Sequence, residues 1–299
     1  MFEGRKVAVV IPARNEAAHL PQVLRNLPEF IDSVYVVDDG STDGTAAAAH
    51  AVGDPRVHVL RNARSRGVGA ATLLGMQQAL QDGAALLVKV DGDGQMDPQQ
   101  IPKLLQPLLY EDYGYAKANH FLHTDALRRM PVVRLLGNVL LTFLTKLASG
   151  YWRIFDPQNG FVAIRAEHFQ CLPHDKIAHD FFFENDMLIH LNIQGVRVKD
   201  VPIPARYGDE ESDLPIWKVL LTFPPTASVR FVAADLAKIR SARFLSDCRL
   251  LVTRRPLLLF GLCSGLYHWA LSLYTDRAAP TGTVMLSVLR FLIGFELIL

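Results

Sequence analysis

Four short apolar runs, each closed by a polar cluster, recur along the first third of the chain and constrain its fold more than anything else in it. Val7–Ile11 stops at Pro12 and is followed by Asn15 and Glu16. Ser33–Val37 stops at Asp38-Asp39-Gly-Ser-Thr-Asp-Gly-Thr. Val57–Leu60 leads into the Arg-rich turn Asn62–Arg66 and the Gly67-Val68-Gly69 loop, and Leu86–Val90 ends at Asp91-Gly-Asp-Gly-Gln. Continuous β-rich runs of this kind suit parallel strands buried on both faces. Helical segments fall between them: one to about Leu27, one over Thr45–Ala51 with Thr42 or Asp43 as its cap, and one to about Gln81. Strand and helix alternate about every 25 residues, which predicts a doubly wound α/β sheet. Ligands bind such sheets at the carboxyl ends of strands. Pro12–Glu16, Asp38–Asp39 and Asp91–Asp93 all fall there, so one shared pocket is expected.

Within that pocket the stretch Val88–Pro98, VKVDGDGQMDP, carries the densest chemistry. Asp91 and Asp93 flank Gly92, so a backbone turn brings both carboxylates to one cation, and Gln95 adds a neutral oxygen. Hard oxygen ligands at a strand end suit a divalent metal that itself carries phosphates. The same residues also suit an ordinary Asp-Gly turn, and on their own they leave both readings open. Asp97 is expected to cap the next helix.

Farther along, Arg128, Arg129 and Arg134 form either an anion site or a solvated helix face. DPQNGF at Asp156–Phe161 precedes the strand-like Val162–Ile164, FFFENDM at Phe181–Met187 begins a helix ending near Gly195, and Val196–Ile203 reads as the last strand. Past Tyr207 the character changes. Pro215–Phe244 mixes Trp217, Phe223, Phe231 and other apolar positions with Lys218, Arg230, Lys238, Arg240 and Arg243, a pattern that fits a membrane interface or packing against the preceding domain. Pro256–Tyr274 has no formal charge, and Thr281–Leu299 contains only Arg290 and Glu296. Two membrane spans joined by a short loop are expected, a buried helical hairpin being the alternative. Arg249, Arg254 and Arg255 precede the first span, which places the preceding domain on the cytoplasmic side.

The motifs IPARNE, VVDDGSTDGT, GVGAATLLG, DGDGQMDP, DPQNGF and VPIPARYGDEESDL follow one another in that order. Together they resemble family 2 glycosyltransferases of GT-A fold, with a closer likeness to the dolichyl- and polyprenyl-phosphate sugar synthases of the dolichol-phosphate mannose synthase type. The resemblance covers about Val7 to Leu214. It implies a Rossmann-like, mostly parallel GT-A catalytic domain over 1–212, amphipathic juxtamembrane helices over 213–254 and two transmembrane helices over 255–299. It also implies that Pro12, Arg14, Glu16 and Val37 line the nucleotide-sugar pocket and that Asp39 bonds the base. Asp91 and Asp93 would be the DxD motif holding Mg2+ or Mn2+ against the donor diphosphate, with Gln95 as a further ligand. Asp186 falls where the family places an acidic residue near the acceptor; it reads as positioning the acceptor, or as a helix N-terminal carboxylate. Lys117, His120 and the three arginines would meet the acceptor phosphate. The chain departs from the family pattern at His120 and Val162, where arginine is common, and at Asp213, where lysine is common. These departures argue against naming mannose as the sugar.

The function implied is a membrane-bound, multi-pass, inverting transferase moving one sugar from a nucleotide-sugar to a polyprenyl phosphate. A lipid-linked glycan acceptor and a non-catalytic nucleotide-sugar-binding protein are the alternatives. Over the 299 residues, 31 basic residues balance 30 acidic ones, so nothing draws the chain toward nucleic acid. Cys171, Cys248 and Cys263 have neither metal nor disulfide spacing. The first residues lack a signal-peptide core, so a domain is expected to start directly.

Overall fold

A computed structural model describes residues 1–119, 142, 145–146, 149–204, 259–272 and 281–296. The chain divides into two compact units, Met1–Ala234 and Asp235–Leu299.

The first unit is built on a seven-stranded sheet. Its strands are β1 (Val7–Ala13), β2 (Ser33–Asp39), β3 (Val57–Asn62), β4 (Leu86–Lys89), β5 (Tyr115–Asn119), β6 (Val162–Arg165) and β7 (Val198–Pro202), in the order β3-β2-β1-β4-β6-β5-β7. Only β6 runs against the others, pairing antiparallel with β4 and β5. The mostly parallel sheet expected from the alternating pattern is therefore present, and each of the first three strands runs two residues farther into its polar cluster than the apolar run alone indicates.

Both faces of the sheet are covered, which is why β1 has no polar side. Val7, Val9 and Ile11 pack in one layer with Leu20, Leu24, Leu104 and Leu108, whereas Ala8 and Val10 pack in the other with Leu73, Met76 and Leu188. The helices are α1 (Leu20–Arg25), α2 (Thr45–Ala51), α3 (Val68–Gln81), α4 (Ile101–Tyr110), α5 (Ala166–Gln170) and α6 (Phe183–Ile193). α1 starts later than the sequence pattern indicates. The backbone amides of Asn15, Glu16 and Ala17 donate to Ser41 Oγ, Thr45 Oγ1 and Asp43 Oδ2 at 3.0, 2.9 and 3.1 Å, and Asn15 sits at φ 59°. These amides lace the first loop to the second, and helix begins only beyond His19. For α2, Gly44 occupies the N-cap position, while the Asp43 carboxylate accepts the Thr45 amide at 2.9 Å. Asp97 does cap the next turn, accepting from the Gln99 amide at 3.2 Å.

α3 seats on the sheet through Gly75. A Cβ there would lie 2.4 Å from Val10 Cγ1 and 3.0 Å from Val37 Cγ2, both in fully buried, β-branched side chains. Gly75→Ala gains about 1 kcal/mol of helix propensity but overpacks a filled core, at a cost of about 1–3 kcal/mol. We expect net destabilisation, read as a lower urea midpoint with unchanged slope.

In the second unit, residues 259–272 and Thr281–Glu296 are helical. A Cβ on Gly261 would meet the Phe291 amide nitrogen at 2.6 Å and the Ser287 carbonyl at 2.9 Å, and Ser264 Oγ lies 3.0 Å from Ser287 Oγ. Small residues thus line the contact. Leu259, Phe260, Leu262, Leu266, Tyr267 and Trp269 on one helix are exposed, as are Val284, Met285, Leu286, Leu289 and Leu292 on the other. The Arg290 guanidinium lies over the Phe260 ring, 5.1 Å from its centroid. Among the described residues no helix is long and apolar enough to cross a membrane. The segment expected to hold juxtamembrane helices, 213–254, lies outside the described residues, as do parts of both expected spans.

Candidate active site

β2, β1 and β4 are neighbours in the sheet, so the polar clusters that end them stand side by side at its carboxyl edge. The Asp91–Asp93 turn rests on the first loop. A Cβ on Gly92 would lie 3.4 Å from both Ala13 Cβ and Glu16 Cγ. Glu16 Oε2 in turn sits 3.3 Å from His19 Nδ1. Asp91 and Asp93 are both partly exposed; Asp93 Oδ1 accepts the Gln95 amide at 3.0 Å, and the Gln95 side chain is exposed. Arg14 is exposed at the same edge. Pro12 is buried and in register with Val37, whose side chain turns into the core beneath Gly75. Only the backbone of Val37 therefore stands at the edge.

Asp39 has a task that its sequence position did not disclose. Its carboxylate accepts from Asn62 Nδ2 (2.7 Å), Ser65 Oγ (2.7 Å) and the amides of Arg66 and Gly67 (both 2.9 Å). Burial pushes this carboxyl up, yet the four donors outweigh it and hold it below the ordinary carboxylate range. Asp39 thereby fixes the 62–67 loop at the rim of the site. Asp38 accepts the Ser41 amide at 2.9 Å and lies 3.3 Å from Arg61 Nε. A cavity of about 600 Å3, lined by Arg66, Gln77, His174, Asp175 and His179 among others, shares Arg66 with this loop but lies against α3 rather than between the acidic residues of the strand ends.

The loop then hands over to α3. Gly67 has φ 97°, and a Cβ on it would sit 2.3 Å from the His179 carbonyl oxygen. That carbonyl accepts the amides of Gly69 and Ala70, at 2.9 and 3.2 Å, closing the start of α3. Asp186 lies behind this contact. It is fully buried, accepts the Ala178 amide at 2.7 Å and sits 3.8 Å from His190 Nε2. Asp186 thus anchors the 177–180 segment through the Ala178 amide.

The acidic residue brought next to Asp91 is Glu184, and the link is Lys89. Lys89 Nζ lies 2.6 Å from Asp91 Oδ1 and 3.1 Å from Glu184 Oε1, with 1% of its side chain exposed. Burial would lower this lysine, but Asp91 and Glu184 outweigh burial and hold it above its ordinary value. α6 explains why Glu184 can serve there: Phe183 through Ile189 are all buried, so every polar side chain among them needs a partner. Glu184 takes Lys89, Asn185 Oδ1 accepts from Thr145 Oγ1 at 2.9 Å, and Asp186 takes Ala178. Neither Lys89 nor Glu184 was singled out by sequence. The signal was there: a lysine inside a strand buried on both faces must meet a buried carboxylate.

Lys117 is fully buried, and its ammonium donates to the backbone carbonyl of Asn159. Burial lowers it to about 8, against the pull of Glu184 and Asp156. It underpins the DPQNGF loop through that carbonyl. His120, Arg128, Arg129 and Arg134 lie outside the described residues. Val162 stands opposite Lys89 on β4 and opposite Lys117 on β5. Register partners share a face, so an arginine at 162 would place three cations together.

The far side of the same loop is held by Asp200, whose Oδ2 accepts from Asn119 Nδ2 at 2.6 Å and the Phe155 amide at 2.9 Å. Burial raises its carboxyl to about 6 in spite of these donors. The native state therefore holds this proton more tightly than the unfolded chain does. Stability falls as pH rises from about 4 to about 6, and the cost is fully present above that. Asp200→Asn is expected to stabilise the protein by about 1 kcal/mol at pH 7.5 and to flatten that part of a Tm-against-pH curve.

As a cation site, the carboxyl edge offers Asp91 and Asp93, with Gln95 next to them. Among the described residues no three His, Cys, Asp or Glu side chains are gathered as a metal site. Two hard carboxylates fit Mg2+ or Mn2+ only if other oxygens complete the shell. Asp91 already shares one oxygen with the Lys89 ammonium, at 2.6 Å.

The profile of Glycosyl transferase family 2 matches residues 8–172. An uncharacterised protein of Methanocaldococcus jannaschii is 32% identical over 205 residues, covering 68% of this chain and 83% of that one. The UDP-N-acetylglucosamine–dolichyl-phosphate N-acetylglucosaminyltransferase of Methanococcus voltae is 27% identical, covering 68% and 86%. The polyprenol monophosphomannose synthase of Mycolicibacterium smegmatis is 32% identical, covering 67% and 77%. Among solved structures, glucosyl-3-phosphoglycerate synthase from Mycobacterium tuberculosis in complex with Mn2+, UDP and phosphoglyceric acid matches with a TM-score of 0.59. It is 23% identical and covers 77% of this chain and 78% of that one, a likeness that shows a shared GT-A-like mixed α/β fold.

Proposed function

The chain belongs to glycosyl transferase family 2, and from that premise we propose that it is a membrane-bound, inverting transferase that moves one sugar from a nucleotide-sugar onto a polyprenyl phosphate. The observation that carries this reading is the pairing, in one chain, of a carboxylate-bearing strand edge with two helices that turn small residues toward each other and large apolar ones outward. Water-soluble helices do the reverse; helices packed in lipid use small residues at their contacts. A lipid phosphate is an acceptor that such an anchor would bring to the site. Arg249, Arg254 and Arg255 would hold the catalytic unit on the cytoplasmic face.

Asp91 and Asp93, with Gln95 beside them, would hold Mg2+ or Mn2+, which when bound neutralises charge on the departing diphosphate. Arg14, Glu16 and the Asp39-fixed loop border the donor, and Asp39 acts on the donor through that loop. An oxygen of the acceptor phosphate attacks the anomeric carbon. The bond from that carbon to the nucleotide diphosphate breaks, and the diphosphate leaves with the electron pair. A phosphate monoester is ionised at neutral pH, so no proton has to be removed from the nucleophile. A buried Asp186 that braces the 177–180 segment fits such a reaction, since an acceptor hydroxyl would call for a base at the open edge.

The experiment is to incubate purified protein in detergent with Mn2+, a panel of nucleotide-sugars and undecaprenyl phosphate, following donor consumption. Consumption of one donor that depends on both lipid phosphate and Mn2+ is expected. Donor consumption that needs an oligosaccharide-lipid, or none with any donor, contradicts the proposal.

A further inference from the structure

Lys89 and its partner Glu184 are charged groups of the site whose task the proposed reaction leaves open. Lys89 sits on β4 two residues before Asp91, and its ammonium has little freedom to leave. It is anchored on Glu184 at 3.1 Å, only 1% of its side chain is exposed, and the Gly160 backbone closes over it. A Cβ on Gly160 would come within 2.5 Å of both Lys89 Nζ and Asp91 Oδ2. A cation approaching Asp91 therefore meets a carboxylate that already shares an oxygen, at 2.6 Å, with a fixed positive charge.

The sign of the resulting interaction depends on what arrives. A free divalent cation is repelled by the ammonium. A nucleoside diphosphate carries about three negative charges near neutral pH, by analogy with other phosphates, so its complex with one divalent cation is a net anion and is attracted. Among the described residues no three His, Cys, Asp or Glu side chains are gathered at one place, so a cation on Asp91 and Asp93 draws on other oxygens such as those of a diphosphate. We propose that the Lys89–Glu184 pair makes this site selective for a cation–diphosphate complex over the free cation, so that the cation enters with the donor and leaves with the nucleoside diphosphate. The inference rests on Asp91 and Asp93 being the cation-binding pair.

The test is binding of Mn2+ to the full chain in detergent, followed by electron paramagnetic resonance with and without UDP or GDP. Lys89→Met combined with Glu184→Gln removes one charge of each sign and spares Glu184 from standing unpaired in the core; Glu184→Gln alone is the control. The wild type is expected to bind free Mn2+ at least ten-fold more weakly than the double variant, and to bind Mn2+ with a nucleoside diphosphate as tightly or more tightly. Glu184→Gln alone, which leaves the ammonium in place, is expected to bind free Mn2+ no better than the wild type. Equal affinity of wild type and double variant for free Mn2+, with diphosphate-dependent binding intact, overturns the role of Lys89 and leaves the carboxylate pair standing. If the wild type binds Mn2+ in neither form, the carboxylate pair itself is wrongly assigned and the inference falls with it.

Discussion

Asp91→Asn is expected to lower kcat/KM for donor by about 10^3-fold, and Asp93→Asn by a similar factor, since each removes a charged oxygen that would hold the cation neutralising the leaving diphosphate. Asparagine keeps the size of the side chain, and the Asp91 side chain is 28% exposed, so the loss should not reflect unfolding. Glu184 still pairs with Lys89 in the variant. Thermal unfolding of wild type and variants should therefore agree closely without ligand, while only the wild type is stabilised by Mn2+ with a nucleoside diphosphate. Retained transfer in Asp91→Asn would show that this carboxylate does not serve the diphosphate.

Gly160→Ala should do comparable damage by a different route. The added methyl would lie 2.5 Å from Asp91 Oδ2 and 2.5 Å from Lys89 Nζ, and 3.2 Å from Met96 Cε. Gly160 does not adopt positive φ, so the effect comes from contact and not from backbone strain. Either the DPQNGF loop lifts or Asp91 shifts, and a displacement of about 1 Å at a reacting centre costs about 10^2-fold in rate. Overpacking should also destabilise the fold by about 1–3 kcal/mol. Steady-state kinetics combined with urea unfolding separates the two effects. Near-normal activity in Gly160→Ala would mean that this loop does not fix the position of Asp91.

The fold was legible in the sequence because parallel strands buried on both faces cannot hide their apolar runs. β1, β2 and β4 could be placed from Val7–Ile11, Ser33–Val37 and Leu86–Val90, and Asp91–Asp93 could be placed at the carboxyl edge with them. Partnership inside the site was not legible. Asp38 and Asp39 are adjacent in one motif, yet Asp39 spends its oxygens on a loop more than twenty residues away. Asp186 and Glu184 lie two residues apart on one helix, and the direction of that helix alone decides that Glu184 reaches Lys89 while Asp186 braces Ala178. Lys117, expected at an acceptor phosphate, is fully buried on a covered face of the sheet, where its ammonium meets the carbonyl of Asn159, a residue more than forty positions away. Such choices depend on register and on contacts distant in sequence, which residue types and local spacing do not encode.

The most direct measurement is the structure of the lipid product itself. With the productive donor, undecaprenyl phosphate and Mn2+, mass spectrometry should find one sugar added to the lipid monophosphate, and nuclear magnetic resonance should find the anomeric configuration opposite to that of the donor. A product that retains the donor configuration, or sugar found only on a pre-existing lipid-linked glycan, would contradict single-displacement transfer to a polyprenyl phosphate.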